Sequence, residues 1–269
     1  MIVSPFVATA LGPLVAGLVW WAGLLTTGGA VVAAALGSAV ALAGLDWMVL
    51  LLGFFLTSVL LGRFGRDEKR RRSASVIEKQ GPRDAAQVLA NGGVFGLGAV
   101  AAAGGTSSDT IAAVALGGLA AAMADTWGTE IGMLSRKVPR SVLTWGQLQP
   151  GMSGGVSVLG LVATVGGAVL LGAAAVWLRW SPAVAVAAVL GGITGAMADS
   201  VLGATLQHRR RSARTGRLTE RDVDLDGTPT VHAGGLSWLN NDGVNFAATL
   251  IGAGVAFQVH FLVMAFGTQ

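Results

Sequence analysis

Eight apolar stretches, separated by segments that carry nearly all of the charges, constrain this chain more than any other feature of its sequence. They lie at residues 6–27, 29–44, 46–62, 86–104, 109–127, 154–178, 183–206 and 245–266. A helix needs about 20 apolar residues to cross the hydrocarbon core of a membrane, and most of the stretches reach that length. Because the second and third are short, we predict about eight transmembrane helices, with seven as the alternative.

The composition agrees with a membrane protein. Charged residues make up only 12% of the chain, whereas 53% of the residues are hydrophobic. Soluble domains contain about 25% charged residues, so this chain could not cover a surface that faces water. A soluble enzyme, a disordered chain and a coiled coil are therefore excluded, and we predict an all-α polytopic membrane protein. We expect the first stretch to be a retained helix, since no basic segment precedes it as in a signal peptide.

The positive charges indicate an orientation. Seventeen of the 18 Lys and Arg residues fall in three loops, 63–85, 128–153 and 207–244, which follow the third, fifth and seventh stretches. The loops therefore emerge on one face of the membrane, and the positive-inside rule makes that face cytoplasmic. We expect residues 1–62 to form N-terminal helices of unassigned role. Residues 63–269 then form a single catalytic membrane domain, with its polar site at the cytoplasmic end.

Two apolar stretches contain an internal repeat. Residues 117–126 and 191–200 are identical at six of ten positions, and each segment includes an aspartate followed by a hydroxyl residue. Both stretches cross the membrane in the same direction, so the repeat is parallel. An aspartate at the centre of a membrane helix costs roughly 2.5–3.5 kcal/mol, and such residues usually persist for function. Asp125 and Asp199 are therefore the first candidates for a site.

Three further carboxylates lie at the edges of apolar segments, namely Asp84, Glu130 and Asp242. Oxygen ligands suit Mg²⁺, which takes one or two carboxylates together with phosphate oxygens. We therefore predict a magnesium site with four candidate ligands, Asp125, Glu130, Asp199 and Asp242.

A polar residue next to glycine recurs where the fourth, sixth and eighth helices are predicted to begin, at Asn91-Gly92, Ser153-Gly154-Gly155 and Asp242-Gly243. A helix N-terminus presents unpaired N–H groups, and glycine lets an anion reach the backbone. The planar fork of arginine also suits phosphate. The predicted nucleotide- and phosphate-binding residues are Asn91, Gly92, Arg136, Arg140, Ser153, Gly154, Gly155, Asn241 and Asn245.

Five segments resemble the integral-membrane phytyl-phosphate kinase family, which includes transmembrane protein 19. They are RDAAQVLANG at 83–92, ADTWGTEIG at 124–132, PGMSGGVS at 150–157, DSVLGATLQ at 199–207 and WLNNDGVNF at 238–246. One departure is Ser153, where we expect asparagine or another polar residue in the family. The first 62 residues contribute nothing to the resemblance.

The resemblance implies a prenyl-phosphate kinase. Such an enzyme transfers a phosphoryl group from CTP, with Mg²⁺, to a phytyl- or geranylgeranyl-like monophosphate and forms the diphosphate. The residues that we assign to catalysis are Arg83, Asp84, Asp125, Asp199 and Asp242. The partners would be the prenyl-phosphate lipid, the nucleoside triphosphate and the bilayer, and no nucleic acid; the oligomeric state stays open.

Two other classes of function remain open at this point. A transporter or flippase of an anionic lipid or metabolite would also need carboxylates within the membrane. A membrane cytidylyltransferase or a prenol kinase would use a similar nucleotide site. The compact loops favour a prokaryotic plasma membrane.

Overall fold

The computed structural model describes residues 4–78 and 81–266 and is largely helical. The helices are α1 (Pro5–Trp21), α2 (Thr27–Ala43), α3 (Leu45–Arg63), α4 (Arg66–Ser73), α5 (Ala85–Ala103), α6 (Asp109–Gly132), α7 (Val158–Trp177), α8 (Pro182–Thr205) and α9 (Asn241–Phe266). Within the described residues, six of these helices are long and apolar enough to cross a membrane. They are α3 and α5 to α9.

The predicted membrane protein of about eight helices is confirmed in class and closely in number. Helices α1 and α2 are apolar but have only 17 residues each, so with the six longer ones they make eight apolar helices. The third stretch was expected to be short, whereas α3 has 19 residues and qualifies. Helix α4 was not expected. It lies in the first basic loop and consists of polar residues alone.

Side-chain caps determine where the helices begin. Asp84 accepts a hydrogen bond from the Gln87 backbone, and Ser157 accepts one from the Gly160 backbone. Such caps satisfy N–H groups that have no partner within the helix. Two predicted boundaries are therefore wrong: α5 begins six residues before Asn91, and α7 begins after the Ser153 segment rather than within it.

The helices confirm the parallel repeat and extend it. Helices α5 and α6 are followed by a polar loop, and α7 and α8 repeat this arrangement about 74 residues later. We call α5–α6 the first copy and α7–α8 the second copy. Helices α6 and α8 both have 24 residues, and Asp125 and Asp199 lie about two turns before their ends.

Small residues let the two copies and α9 pack closely. A side chain at Gly117 of α6 or at Gly191 of α8 would clash with the same backbone oxygen, that of Gly252 in α9. Likewise, a Cβ at Gly192 would lie 2.8 Å from the Cβ of Ala120. Close backbone approach through small residues is typical of helix association in membranes. Helices α6, α8 and α9 therefore form the centre of the bundle.

Short antiparallel strands order the two later loops. Strand β1 (Arg140–Ser141) pairs with β2 (Gly155–Val156) between α6 and α7. After α8, β3 (Arg209–Arg211) lies between β4 (Leu218–Thr219) and β5 (Val231–Gly234). Both small sheets lie at the end of the bundle where α6 and α8 end, which we call the polar end.

Candidate functional site

A cavity of about 830 Å³ lies at the polar end of the bundle. Its walls come from helices α5 to α9, from the polar helix α4 and from the loops that connect these helices. Most of the residues that the sequence predicted for the site line this cavity. They are Arg83, Asn91, Asp125, Glu130, Ser153, Gly154, Gly155, Asp199, Asn241, Asp242 and Asn245.

Asp125 and Asp199 both line the cavity. The close packing of α6 on α8 one turn earlier, where a Cβ at Gly195 would clash with Ala121, brings the two aspartates onto facing helices. In the amide orientation that its neighbours require, Asn245 of α9 donates a hydrogen bond to Asp199 Oδ2 at 2.8 Å. Two aspartates from the repeat and an amide from α9 thus meet in one place.

The first turn of α9 adds further polar groups. Asn240 accepts a hydrogen bond from the Gly243 backbone at 3.0 Å and so caps the helix. Asn241 and Asp242 follow in the first turn, and both line the cavity. Of the three predicted helix starts, this one is a true helix N-terminus, and it points backbone N–H groups toward the polar end.

The start of α5 contributes one cationic and two amide side chains. Arg83, Gln87 and Asn91 are spaced four residues apart, so they lie along one face of the chain as it enters α5, and all three line the cavity. The Arg83 backbone is held by hydrogen bonds with Leu24 and Thr26, both at 3.0 Å. Asn91 lies two turns inside the helix, so it contributes its side chain and not a free backbone N–H.

The Ser153 segment forms hydrogen bonds and packing contacts with other parts of the protein. The Ser153 backbone N–H donates to Glu220 Oε1 at 3.0 Å, and its hydroxyl donates to the same oxygen at 2.5 Å. Gly154 has a left-handed backbone (φ 80°), and a Cβ there would lie 2.8 Å from the Ala204 Cα. These residues therefore join the loop to α8 and to Glu220, rather than presenting free donors to a phosphate as expected.

Glu130 has a partner that the sequence did not reveal. Lys69 of α4 is buried and donates to Glu130 Oε2 at 2.6 Å and to the Leu61 carbonyl at 2.5 Å. The ammonium neutralises the carboxylate that was predicted to bind metal. Nearby, Arg72 donates to the carbonyl groups of Met133 and Ser135. Together these contacts hold the polar helix α4 against the end of α6.

Four predicted residues do not line the cavity. Asp84 caps α5, while Gly92 lines a separate apolar slot beside that helix. Arg136 and Arg140 are exposed on the loop after α6, and Arg140 Nη1 donates to the Trp145 carbonyl at 2.8 Å. Asp84 and Gly92 were predicted within the first family motif, whereas Arg136 and Arg140 were predicted because the arginine fork suits phosphate. The fold places all four residues outside the lining of the cavity.

Several cavity residues were missed by the sequence analysis. Glu220 lies in a basic loop without a recognisable pattern, so no sequence signal marked it. His208 and His232, to which no chemistry was assigned, stack with their ring centroids 5.1 Å apart at the cavity. Gln87 lay inside a quoted motif, and its spacing from Arg83 and Asn91 could have identified it.

Glu220 and Arg83, which both lie in loops, have shifted pKa values. Burial raises the pKa of the Glu220 carboxyl, while hydrogen bonds from Ser153 and Gln207 act in the opposite direction. Burial also lowers the pKa of the Arg83 guanidinium, and the charge of Glu130 raises it. Arginine nonetheless remains cationic at physiological pH. Arg83 therefore adds a fixed positive charge to the cavity that the two aspartates line.

The carboxylates that line the cavity could hold a metal ion only together with oxygen atoms of a bound ligand. Among the described residues there is no group of three or more His, Asp or Glu side chains arranged to hold a metal ion. The predicted set of four is therefore not gathered, since Glu130 is paired with Lys69. Asp125 and Asp199 remain, and two carboxylates plus phosphate oxygens are a usual ligand set for Mg²⁺.

Comparison with known proteins identifies the family. A family model described as integral membrane protein DUF92 matches residues 10–253. Protein PGR of Arabidopsis thaliana is 31% identical over 235 residues, covering 78% of this chain and 80% of the relative. An uncharacterized membrane protein of Methanocaldococcus jannaschii is 32% identical over 185 residues, covering 69% and 73%. No solved structure matches. The chain therefore belongs to the DUF92 family of integral membrane proteins.

Proposed function

We propose that this protein is a prenyl-phosphate kinase, which transfers a phosphoryl group from CTP to a prenyl monophosphate. The observation that carries the proposal is the meeting of Asp125 and Asp199 in one cavity, with the Arg83 guanidinium and the Asn91 and Asn245 amides around it. Carboxylates that hold a cation and donors that hold phosphate are what phosphoryl transfer requires. The resemblance of five segments to phytyl-phosphate kinases supplies the substrate class.

The paired aspartates favour a cation in this site. Two carboxylates that line one cavity suit a divalent cation, which neutralises the charge of both. Asp125 and Asp199 would hold Mg²⁺, with Asn245 orienting the Asp199 carboxylate. When bound, Mg²⁺ supplies neutralisation of the triphosphate charge.

The acceptor needs positioning more than activation. An oxygen of the prenyl phosphate is already ionised, so no strong general base is required for its attack on the γ-phosphorus. The new bond joins that oxygen to the γ-phosphorus, and the bond between the γ-phosphorus and the oxygen bridging it to the β-phosphorus breaks. The products are prenyl diphosphate and CDP, and the electron pair of the broken bond leaves with CDP. Arg83 and Asn91 would orient the acceptor phosphate.

The polar end would face the cytoplasm, where nucleotides are found. The three loops that carry most of the basic residues lie at this end, and the positive-inside rule places such loops in the cytoplasm. We infer a plasma-membrane protein of a prokaryote, with the acceptor lipid entering from the inner leaflet. Labelling of a cysteine introduced at exposed Arg214 with an impermeant reagent tests this: intact cells should protect it, and lysed cells should expose it.

The decisive experiment is an assay of the purified protein in detergent with CTP, Mg²⁺ and geranylgeranyl or phytyl monophosphate. Formation of the diphosphate with equimolar CDP supports the kinase. Pyrophosphate release would indicate a cytidylyltransferase, and nucleotide-independent uptake of the lipid phosphate by proteoliposomes would indicate a transporter. A purified protein that forms no diphosphate with any nucleotide or prenyl chain length would reject the proposal.

A further inference from the structure

An apolar slot of about 100 Å³ lies between the N-terminal helices α1, α2 and α3 and the first half of α5. Its walls are mainly hydrocarbon side chains, such as Val19 of α1, Ala33 of α2 and Leu52 of α3. These three residues are only partly buried, so the slot is a gap between helices and not a filled core. It is formed largely by residues 1–62, to which the sequence assigned no role.

The slot adjoins the polar cavity. Arg83, Gln87 and Asn91 line both spaces. The Arg83 guanidinium also lies over the ring of Phe55, a slot residue, with its central carbon 5.5 Å from the ring centroid. A cationic group and two amides therefore stand where apolar walls give way to polar ones.

Helices α1 and α2 meet at the opposite end of the slot. Gly12 of α1 and Gly37 of α2 both line it, and a Cβ at Gly37 would lie 3.0 Å from the Cα of Gly12. The two helix backbones therefore touch there. From Val19, near the polar end, to Gly12 the helix rises about 10 Å. The slot is thus a short groove, with Arg83, Gln87 and Asn91 at one end and a close contact of α1 with α2 at the other.

We propose that this slot holds the first part of the hydrocarbon tail of a lipid phosphate whose head group lies at Arg83, Gln87 and Asn91. The inference rests on the proposed function and gives residues 1–62 the role of recognising the tail. A guanidinium and amides match an anionic head, and hydrocarbon walls match an apolar chain. A nucleotide alone would occupy only the polar cavity, so a single-tailed amphiphile is the occupant that fits both spaces. The remaining tail leaves the groove toward the bilayer.

Photocrosslinking of the unmodified protein tests where the tail lies. The probe is geranylgeranyl monophosphate with a diazirine on the isoprene unit next to the phosphate, and labelled peptides are mapped by mass spectrometry. We expect labelling of α1, α2, α3 and the first half of α5 that unlabelled geranylgeranyl monophosphate displaces. Displaceable labelling confined to α7, α8 or α9, or labelling that nothing displaces, would overturn the inference.

A matched pair of variants on α2 tests the slot itself. Ala33→Phe puts a ring into the slot, whereas Val31→Phe puts the same ring on the same helix at a position that is 67% exposed. Ala33→Phe should weaken displacement of the probe by geranylgeranyl monophosphate at least tenfold, and Val31→Phe less than twofold. Equal effects of the two variants would overturn the inference. If Ala33→Phe does not fold, the mapping on the unmodified chain decides.

These measurements do not require turnover, so the two proposals can fail separately. Slot labelling in a protein that forms no diphosphate from CTP would support the tail site and reject the kinase. Turnover with displaceable labelling elsewhere would reject the slot and leave the kinase in place.

Discussion

The two copies of the repeat have the same backbone plan but different side chains at the cavity. Both supply an aspartate, Asp125 or Asp199, from a 24-residue helix. At the seventh position of the preceding helix, the first copy has Asn91 and the second has Thr164, and both line the cavity. Glu130, five residues after Asp125, has the alanine Ala204 as its counterpart in the second copy. The shared aspartates indicate that both copies contribute to one site, and the differing side chains around them indicate that the two copies have different roles.

The two copies can have different roles because they pack against different helices. The first copy lies beside α2 and α3, and its α5 carries Arg83 and Gln87 at the mouth of the apolar slot. In the second copy the position of Gln87 is taken by Gly160, whose missing side chain allows α7 to approach Gly132 of α6. We interpret the first copy as the side that binds the acceptor lipid, and the second as a partner in holding the cation.

The largest expected effect tests what the copies share. Asp125→Asn and Asp199→Asn should each lower kcat by at least about a hundredfold, since each removes a charge that neutralises the cation in the transition state. Steady-state assays with CTP and prenyl phosphate measure this. Asp109→Asn, at the opposite end of the same helix as Asp125, is the control and should retain activity. Full activity of either cavity variant would show that the copies do not act together.

The next largest effect concerns the ion pair between Lys69 and Glu130, which has no counterpart in the second copy. Lys69→Met leaves Glu130 without its ammonium partner, so we expect a loss of about 2 kcal/mol of stability, reduced from the fully buried value because Glu130 is partly exposed. Thermal unfolding in detergent measures this, and Lys69→Met combined with Glu130→Gln should recover much of the loss. A ligand role for Glu130 would instead appear in Glu130→Gln as a greater Mg²⁺ requirement with unchanged stability.

A smaller effect distinguishes Asn91 of α5 from Thr164, which occupies the same position in α7. Asn91→Ala should raise the KM for the prenyl phosphate about tenfold, because a hydrogen bond to a charged group is worth about 1.5–3 kcal/mol. Thr164→Ala should change this KM less than about threefold, since its hydroxyl packs against Gly128 of α6. Equal changes in both variants would contradict the assignment of the acceptor to the first copy.

The smallest effect concerns the link between the loops that follow the copies. The folded pKa of Glu220 lies above the ordinary 4.5, so its protonated form is favoured in the folded protein. The resulting stabilisation is complete below pH 4.5 and is lost as the pH rises through the folded pKa. Glu220→Gln stays neutral and should therefore lose less stability between pH 4.5 and 7 than the unmodified protein. Parallel unfolding temperatures across this range would contradict it.

The part of the site that the sequence predicted consists of charged residues within apolar helices. Asp125 and Asp199 stand out because a carboxylate in an apolar helix is costly, and their repeat predicted that they lie at equal depth. The structure brings both to one cavity together with Asn245. Helix starts were predicted less well. The glycine pattern at Asn91 lies inside α5, and the one at Ser153 precedes α7, where Gly154 packs closely against Ala204.

The sequence by itself determined the class of protein, the approximate number of helices and the repeat, because hydropathy and period are local properties that the bilayer enforces. Only the tertiary structure decided which polar groups meet. Lys69 reaches Glu130 across 61 residues of chain, and Ser153 reaches Glu220 across 67. Such pairings depend on helix packing and loop return, and no spacing in the sequence encodes them. The same holds for the joining of the apolar slot to the cavity at Arg83, since α1, α2 and α3 meet α5 only in the folded bundle.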